Sequence, residues 1–122
     1  MFSKAWIIED LKRVCDDADT KCTWTFSVNT QTEGVEATDV EYIVEASRGT
    51  PASRAVGGPS QFGPFSVTST WTDVFGVPDA WTTLSIIHSV KKILVTPAYK
   101  DTLLQDGEVV EPDQTHIPVA VV

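Results

Sequence analysis

Thr23-Trp24-Thr25-Phe26-Ser27-Val28-Asn29 alternates large apolar residues with small polar ones at every step. A period of two is the mark of a β-strand with one buried and one wet face, and these are residue types that strands favour. Trp24, Phe26 and Val28 belong on the core side; the hydroxyl series faces water. Downstream the rhythm returns. Val40, Tyr42 and Val44 point one way while Glu41 and Glu45 point to solvent, with Ile43 between them. Phe65, Val67, Ser69 and Trp71 alternate with Ser66, Thr68 and Thr70. Trp81–Val90 and Lys92–Thr96 are two more β-rich runs, and Ser89-Val90-Lys91 makes the hairpin turn between them. His116–Val122 closes the chain as a last strand or a tail.

Upstream, Ala5–Val14 is ambiguous. Trp6, Ile7, Leu11 and Val14 would share one helical face, so the periodicity permits a short helix. The segment nevertheless runs into Cys15, and Cys22 opens the strand just described. Between them, Asp16-Asp17-Ala18-Asp19-Thr20-Lys21 is polar and rich in turn formers. We read a hairpin whose first arm is also a strand, clipped at its tip by a Cys15–Cys22 disulfide. Two free thiols are the alternative. A zinc site does not fit the spacing, and no Cys-x-x-Cys motif is present.

Ser47–Phe65 breaks the pattern. Gly49, Thr50-Pro51, Gly57-Gly58-Pro59 and Gly63-Pro64 are too dense for a regular element, so residues 47–64 are expected to form one long irregular loop. A second loop, Asp73–Ala80, carries Gly76-Val77-Pro78-Asp79. The expected architecture is all-β: a single small domain over residues 1–122, a barrel or sandwich of six or seven mostly antiparallel strands.

Charge bounds the partners. With 17 acidic and 9 basic residues the net charge is −8, and the basic residues are scattered. Such a surface repels phosphate backbones and anionic lipid heads, which argues against nucleic acid and membrane partners. No apolar run is long enough to span a bilayer as a helix. Ala5–Ile8 is too short for the apolar region of a signal peptide. Together with the cysteines, this reads as a mature secreted chain whose signal peptide is gone and whose Met1 was added for expression; a cytosolic protein as synthesised is the alternative. Asn29-Thr30-Gln31 is not a glycosylation acceptor. The chain is expected to be a monomer.

Catalytic chemistry is not marked. There is no Gly-x-Ser-x-Gly elbow and no glycine-rich phosphate cradle. His88 and His116 are too far apart in sequence to argue a metal site, and Glu108 and Glu111 lie in a polar, solvated stretch. Asp16, Asp17 and Asp19 lack the glycine and distal glutamate of a helix-loop-helix calcium motif, and read as an acidic hairpin tip. No catalytic residue, metal or cofactor is assigned, and the protein reads as a non-enzyme.

The four tryptophans, Trp6, Trp24, Trp71 and Trp81, belong to the core first, by their alternation. Trp81 follows the Gly-Val-Pro-Asp loop and is placed near a rim. Trp71, Trp81 and Tyr99 are the candidate binding residues. A barrel with an aromatic interior could hold a small apolar ligand, although small barrels usually fill themselves with side chains.

Several stretches resemble fungal small secreted hypersensitive-response-inducing proteins, a family of elicitors. They are Trp6-Ile7-Ile8, Arg13-Val14-Cys15-Asp16, Cys22–Phe26, Phe65–Trp71, Val74-Phe75-Gly76, Trp81–Ile87, Ile93–Asp101 and Gly107–Gln114. The resemblance covers most of the chain outside the glycine-proline middle. It implies a secreted β-barrel that plant cells perceive through a host protein or receptor, with local cell death and defence as the response. Family members carry a second cysteine pair, near positions 37–39 and 57–62 here, and this chain has none. The resemblance therefore implies a looser middle loop in this chain.

Overall fold

The computed structural model describes residues 4–121. Among them are ten strands: β1 Trp6–Cys15, β2 Lys21–Asn29, β3 Thr38–Glu45, β4 Gly57–Phe62, β5 Phe65–Thr72, β6 Trp81–His88, β7 Ile93–Val95, β8 Ala98–Lys100, β9 Gln114–His116 and β10 Val119–Ala120. One helical turn, α1 (Asp101–Leu104), and two 3-10 turns, Ala52–Arg54 and Val77–Asp79, complete the description. All strand pairs are antiparallel, in two sheets. The first has the order β3-β2-β1-β9; the second has β10-β7-β6-β5-β4, with β8 also paired to β6. The expected all-β class is present, as a two-sheet sandwich and not a closed barrel.

The alternation read from the sequence sets the packing. Trp24 stands opposite Tyr42 and Phe26 opposite Val40, so β2 and β3 place their apolar rows on one face. Against them lie Phe65, Val67, Leu84, Ile86 and Val95 from the second sheet, all in the buried core. Each large side chain fully buried this way stabilises by about 1.5–3 kcal/mol.

The first segment is a strand, and its helix-like spacing has a physical cause. The β1–β2 register shifts between Glu9 and Lys12, and Asp10 takes a positive φ of 52°. A bulge inserts one residue and so reverses the alternation. Trp6 and Ile8 face inward before it, Leu11 and Arg13 after it. Asp113 holds the bulge by accepting the Asp10 N–H at 2.9 Å.

Residues 47–64, expected as one irregular loop, contain the 3-10 turn at Ala52–Arg54 and the whole of β4. Strand β4 is an edge strand whose register shifts between Gly57 and Ser60. Edges and bulges are where a sheet tolerates proline, which is how Gly58-Pro59 fits. The glycines admit the opposite sheet: a Cβ on Gly57 would overlap Tyr42 Oη and come within 2.7 Å of Val44 Cγ2. The seam between β3 and β4 thus forms without a second cysteine pair. Proline bounds the expected Lys92–Thr96 run, beyond which β8 is an additional strand, and breaks the expected His116–Val122 run. Pro97 separates β7 from β8, which pair with opposite ends of β6. Pro118 separates β9 from β10, which belong to different sheets. The final run His116–Val122 therefore holds the last residue of β9 and the whole of β10, with Val122 outside the described residues.

Candidate recognition surface

One end of the sandwich gathers the β1–β2 tip, the 3-10 turn at 52–54, the Asp73–Ala80 loop and α1. Cys15 and Cys22 face each other across β1 and β2 and form the disulfide. Beyond it, Asp16 accepts the backbone N–H of Thr20 at 2.6 Å and of Lys21 at 3.2 Å, and also the Thr20 hydroxyl. The Thr20 hydroxyl, first among these donors, holds the Asp16 carboxyl below its ordinary pKa. Asp19 reaches across to the middle segment. Its carboxylate accepts the Ser53 N–H at 2.8 Å and the Ser53 hydroxyl, and its backbone carbonyl accepts the Ala52 N–H at 2.9 Å. Both carboxylates are thus committed to local hydrogen bonds. The candidate ligand atoms of Cys15, Asp19 and Cys22 lie within 4.8 Å of one another, but two of the three are disulfide sulfurs.

Register decides where the candidate binding residues point. Trp71 of β5 stands opposite Thr82 of β6, which stands opposite Tyr99 of β8. The three form one row on the inward face. Trp81, one residue earlier on β6, faces the other way, between Thr72 and Lys100. The structure therefore brings Trp71 and Tyr99 together and puts Trp81 on the outer side of the sheet.

The inward row is unusual for a core. Tyr99 is only 1% exposed. Burial first, and then the charge of Asp113, push its hydroxyl pKa far above the ordinary tyrosine value. Trp71 Nε1 donates to Asp101 Oδ2 at 2.9 Å, and the Arg54 guanidinium lies over its ring, 4.9 Å from the centroid. From the first sheet, buried Arg13 packs over Trp24 at 5.8 Å. Desolvation lowers its pKa, opposed by the charges of Asp101 and then Asp19. Arg13 Nε and Nη1, Thr82 Oγ1, Tyr99 Oη and Asp101 Oδ1 have no hydrogen-bond partner among the described residues. Unmatched buried polar groups cost free energy. A fold gives up stability in this manner most often where a site is built.

On the outer side, the Asp73–Ala80 loop lifts apolar residues into solvent. Gly76 turns the chain with φ 96° and ψ 155°, a conformation essentially restricted to glycine. Phe75 is 75% exposed, Val74 68% and Val77 50%. The Phe75 ring stacks on Trp81 with centroids 5.7 Å apart and planes 29° apart. A stacked Phe–Trp pair, with Arg54 over Trp71 at the same end, has the residue types that dominate protein–protein binding energy. Exposed apolar clusters of this kind mark interaction sites. Sequence reading placed Trp81 near a rim and missed Phe75; the signal was an apolar Val-Phe pair next to a turn glycine.

A family model described as Effector TSP1 matches residues 7–121. The chain belongs to the Effector TSP1 family. A curated relative with that same description, from Hypocrea virens (strain Gv29-8 / FGSC 10586), is 43% identical over 113 residues, 93% of this chain and 74% of that protein. Membership in the Effector TSP1 family agrees with the fungal effector resemblance read from the sequence. The match runs through both sheets and includes Phe75, Trp81 and Tyr99. None of the described helices is long and apolar enough to cross a membrane.

Proposed function

We propose that this chain is a secreted fungal effector that plant cells perceive, inducing cell death or defence responses through a host protein. It does so as a monomer, without catalysis, and the host protein docks on the Phe75–Trp81 end. Membership in the Effector TSP1 family is the observation that carries this reading. The disulfide suits an oxidising, extracellular compartment. The net charge of −8 disfavours nucleic acids and anionic bilayers and so favours a protein as the macromolecular partner. A stacked aromatic pair beside a polar rim is the anatomy such a partner would bind.

Infiltration of the purified protein into leaves of several plant species tests the reading. Necrosis or induction of defence genes at micromolar dose is the expected result. Absence of both in every host would overturn it.

A further inference from the structure

A second site lies at the opposite end of the sandwich. An open cleft of about 400 Å³ lies between the loop that follows β2 and the β6–β7 turn. That volume lies within the range of small-molecule sites. Its floor is apolar, with Trp6, Phe65 and Ile93 lining it and Val35, 57% exposed, forming a wall. The aromatic floor is fixed by edge-to-face contacts: Trp6 and Phe65 centroids are 5.4 Å apart, and Phe65 and His88 are also 5.4 Å apart. The rings are therefore preorganised.

His88 supplies the polar group. Its Nδ1 accepts the backbone N–H of Lys91 at 3.1 Å. In a neutral imidazole an accepting Nδ1 leaves the proton on Nε2. Burial first, and then the charge of Lys91, lower the His88 pKa, which favours that neutral donor form. The rim carries Lys4, Lys91, Glu33 and Glu36, two charges of each sign. Among the described residues none of these four is in an ion pair. A balanced rim gives no net attraction to either sign of ion, and the overall charge of −8 disfavours anions at longer range.

We propose that this cleft binds a small neutral aromatic molecule bearing a hydroxyl group, of the phenol class. The ring lies against Trp6, Phe65 and Ile93, and the hydroxyl oxygen accepts the His88 Nε2–H. This site is separate from the Phe75–Trp81 surface and does not depend on the effector reading.

The test is a titration of the whole chain with 4-methylphenol, followed by proton–nitrogen NMR, alongside toluene and 4-methylbenzoate. Saturable shifts confined to the Trp6 indole and the Lys91 and Ile93 amides are expected, with a Kd of about 1 mM, ordinary for so small a ligand. Val35→Trp, at an exposed position where the fold should tolerate it, should fill the cleft and weaken binding at least about fivefold. His88→Phe keeps the ring and removes the donor, so 4-methylphenol should lose its advantage over toluene. Shifts that fail to saturate by about 10 mM, that scatter over the surface, or that ignore Val35→Trp would overturn the site. Tighter binding of 4-methylbenzoate would overturn the neutral class.

Discussion

Tyr42 Oη and Ser69 Oγ lie 2.8 Å apart in the core, one from each sheet, so a buried hydrogen bond joins the two layers. Removing either hydroxyl strands the other away from water, at a cost of about 1–2 kcal/mol. Tyr42→Phe and Ser69→Ala should each lower stability to urea by that amount. The double variant should lose clearly less than the sum. Strict additivity in the cycle would mean that the two hydroxyls do not stabilise each other.

Both tyrosines of the chain are buried, and burial raises both hydroxyl pKa values; the Asp113 charge adds to the effect at Tyr99. A phenol whose folded pKa exceeds its unfolded one contributes stability below the unfolded value, near pH 10, and loses it as pH rises further. The expected observation is that tyrosinate absorbance stays absent through pH 10 and rises only together with loss of the folded near-ultraviolet signal. A reversible rise at pH 10 in the folded protein would contradict it.

Closing the short Cys15–Cys22 loop constrains the unfolded chain by about 2.5 kcal/mol on the loop-entropy argument. The Cys15→Ala, Cys22→Ala double variant should fold and should lose roughly that much stability in urea. Asp19 and its hydrogen bonds to Ser53 remain in that variant, so hydrogen exchange at Ser53 should still show protection.

Gly57 lies directly against Tyr42 and Val44 in the β3–β4 seam. Gly57→Ala forces a methyl against Tyr42 and Val44, and overpacking of this kind costs about 1–3 kcal/mol. The urea midpoint should fall accordingly, while Gly34→Ala, whose added methyl meets open space at a positive φ, should cost about 1 kcal/mol from backbone strain alone. Equal losses at the two positions would count against the seam as drawn.

Phe75→Ser removes exposed apolar surface without touching the core. Stability should fall by no more than about 1.5 kcal/mol, the worth of the lost stack on Trp81, and the plant response should fall sharply, as truncation of an interface anchor requires. A full response from a folded Phe75→Ser protein would move the recognition surface elsewhere.

The long alternating strands were legible because each has one buried face. Trp24, Phe26 and Val28 announce β2, and Phe65 and Val67 announce β5, by spacing alone. The Ala5–Val14 segment read ambiguously because a bulge at Asp10 shifts its phase by one residue, so the apolar positions mimic a helical period. Strand β4 was hidden by Gly57, Gly58 and Pro59, whose presence reflects contact with Tyr42 and an edge position, neither of which is written locally. The candidate binding residues show the same limit. Spacing along one strand cannot tell that Trp71 and Tyr99 share a face while Trp81 takes the other, because that depends on register across three strands. Phe75 was obscure for a related reason: an apolar residue in a loop can fold back or face out, and only the Gly76 turn decides.

The division at Pro118 sets an order of assembly. Strand β9 completes the first sheet against β1, with Ile7 opposite Thr115, and β10 covers the edge of the second sheet against β7. Both closures join parts of the chain distant in sequence, the first nearly its whole length. Loop entropy makes such contacts late, so until residues 114–120 dock, each sheet presents an unpaired edge able to recruit a strand from another molecule. Docking exchanges the open edges of β1 and β7 for strands of only three and two residues, and edges that short discourage strand recruitment.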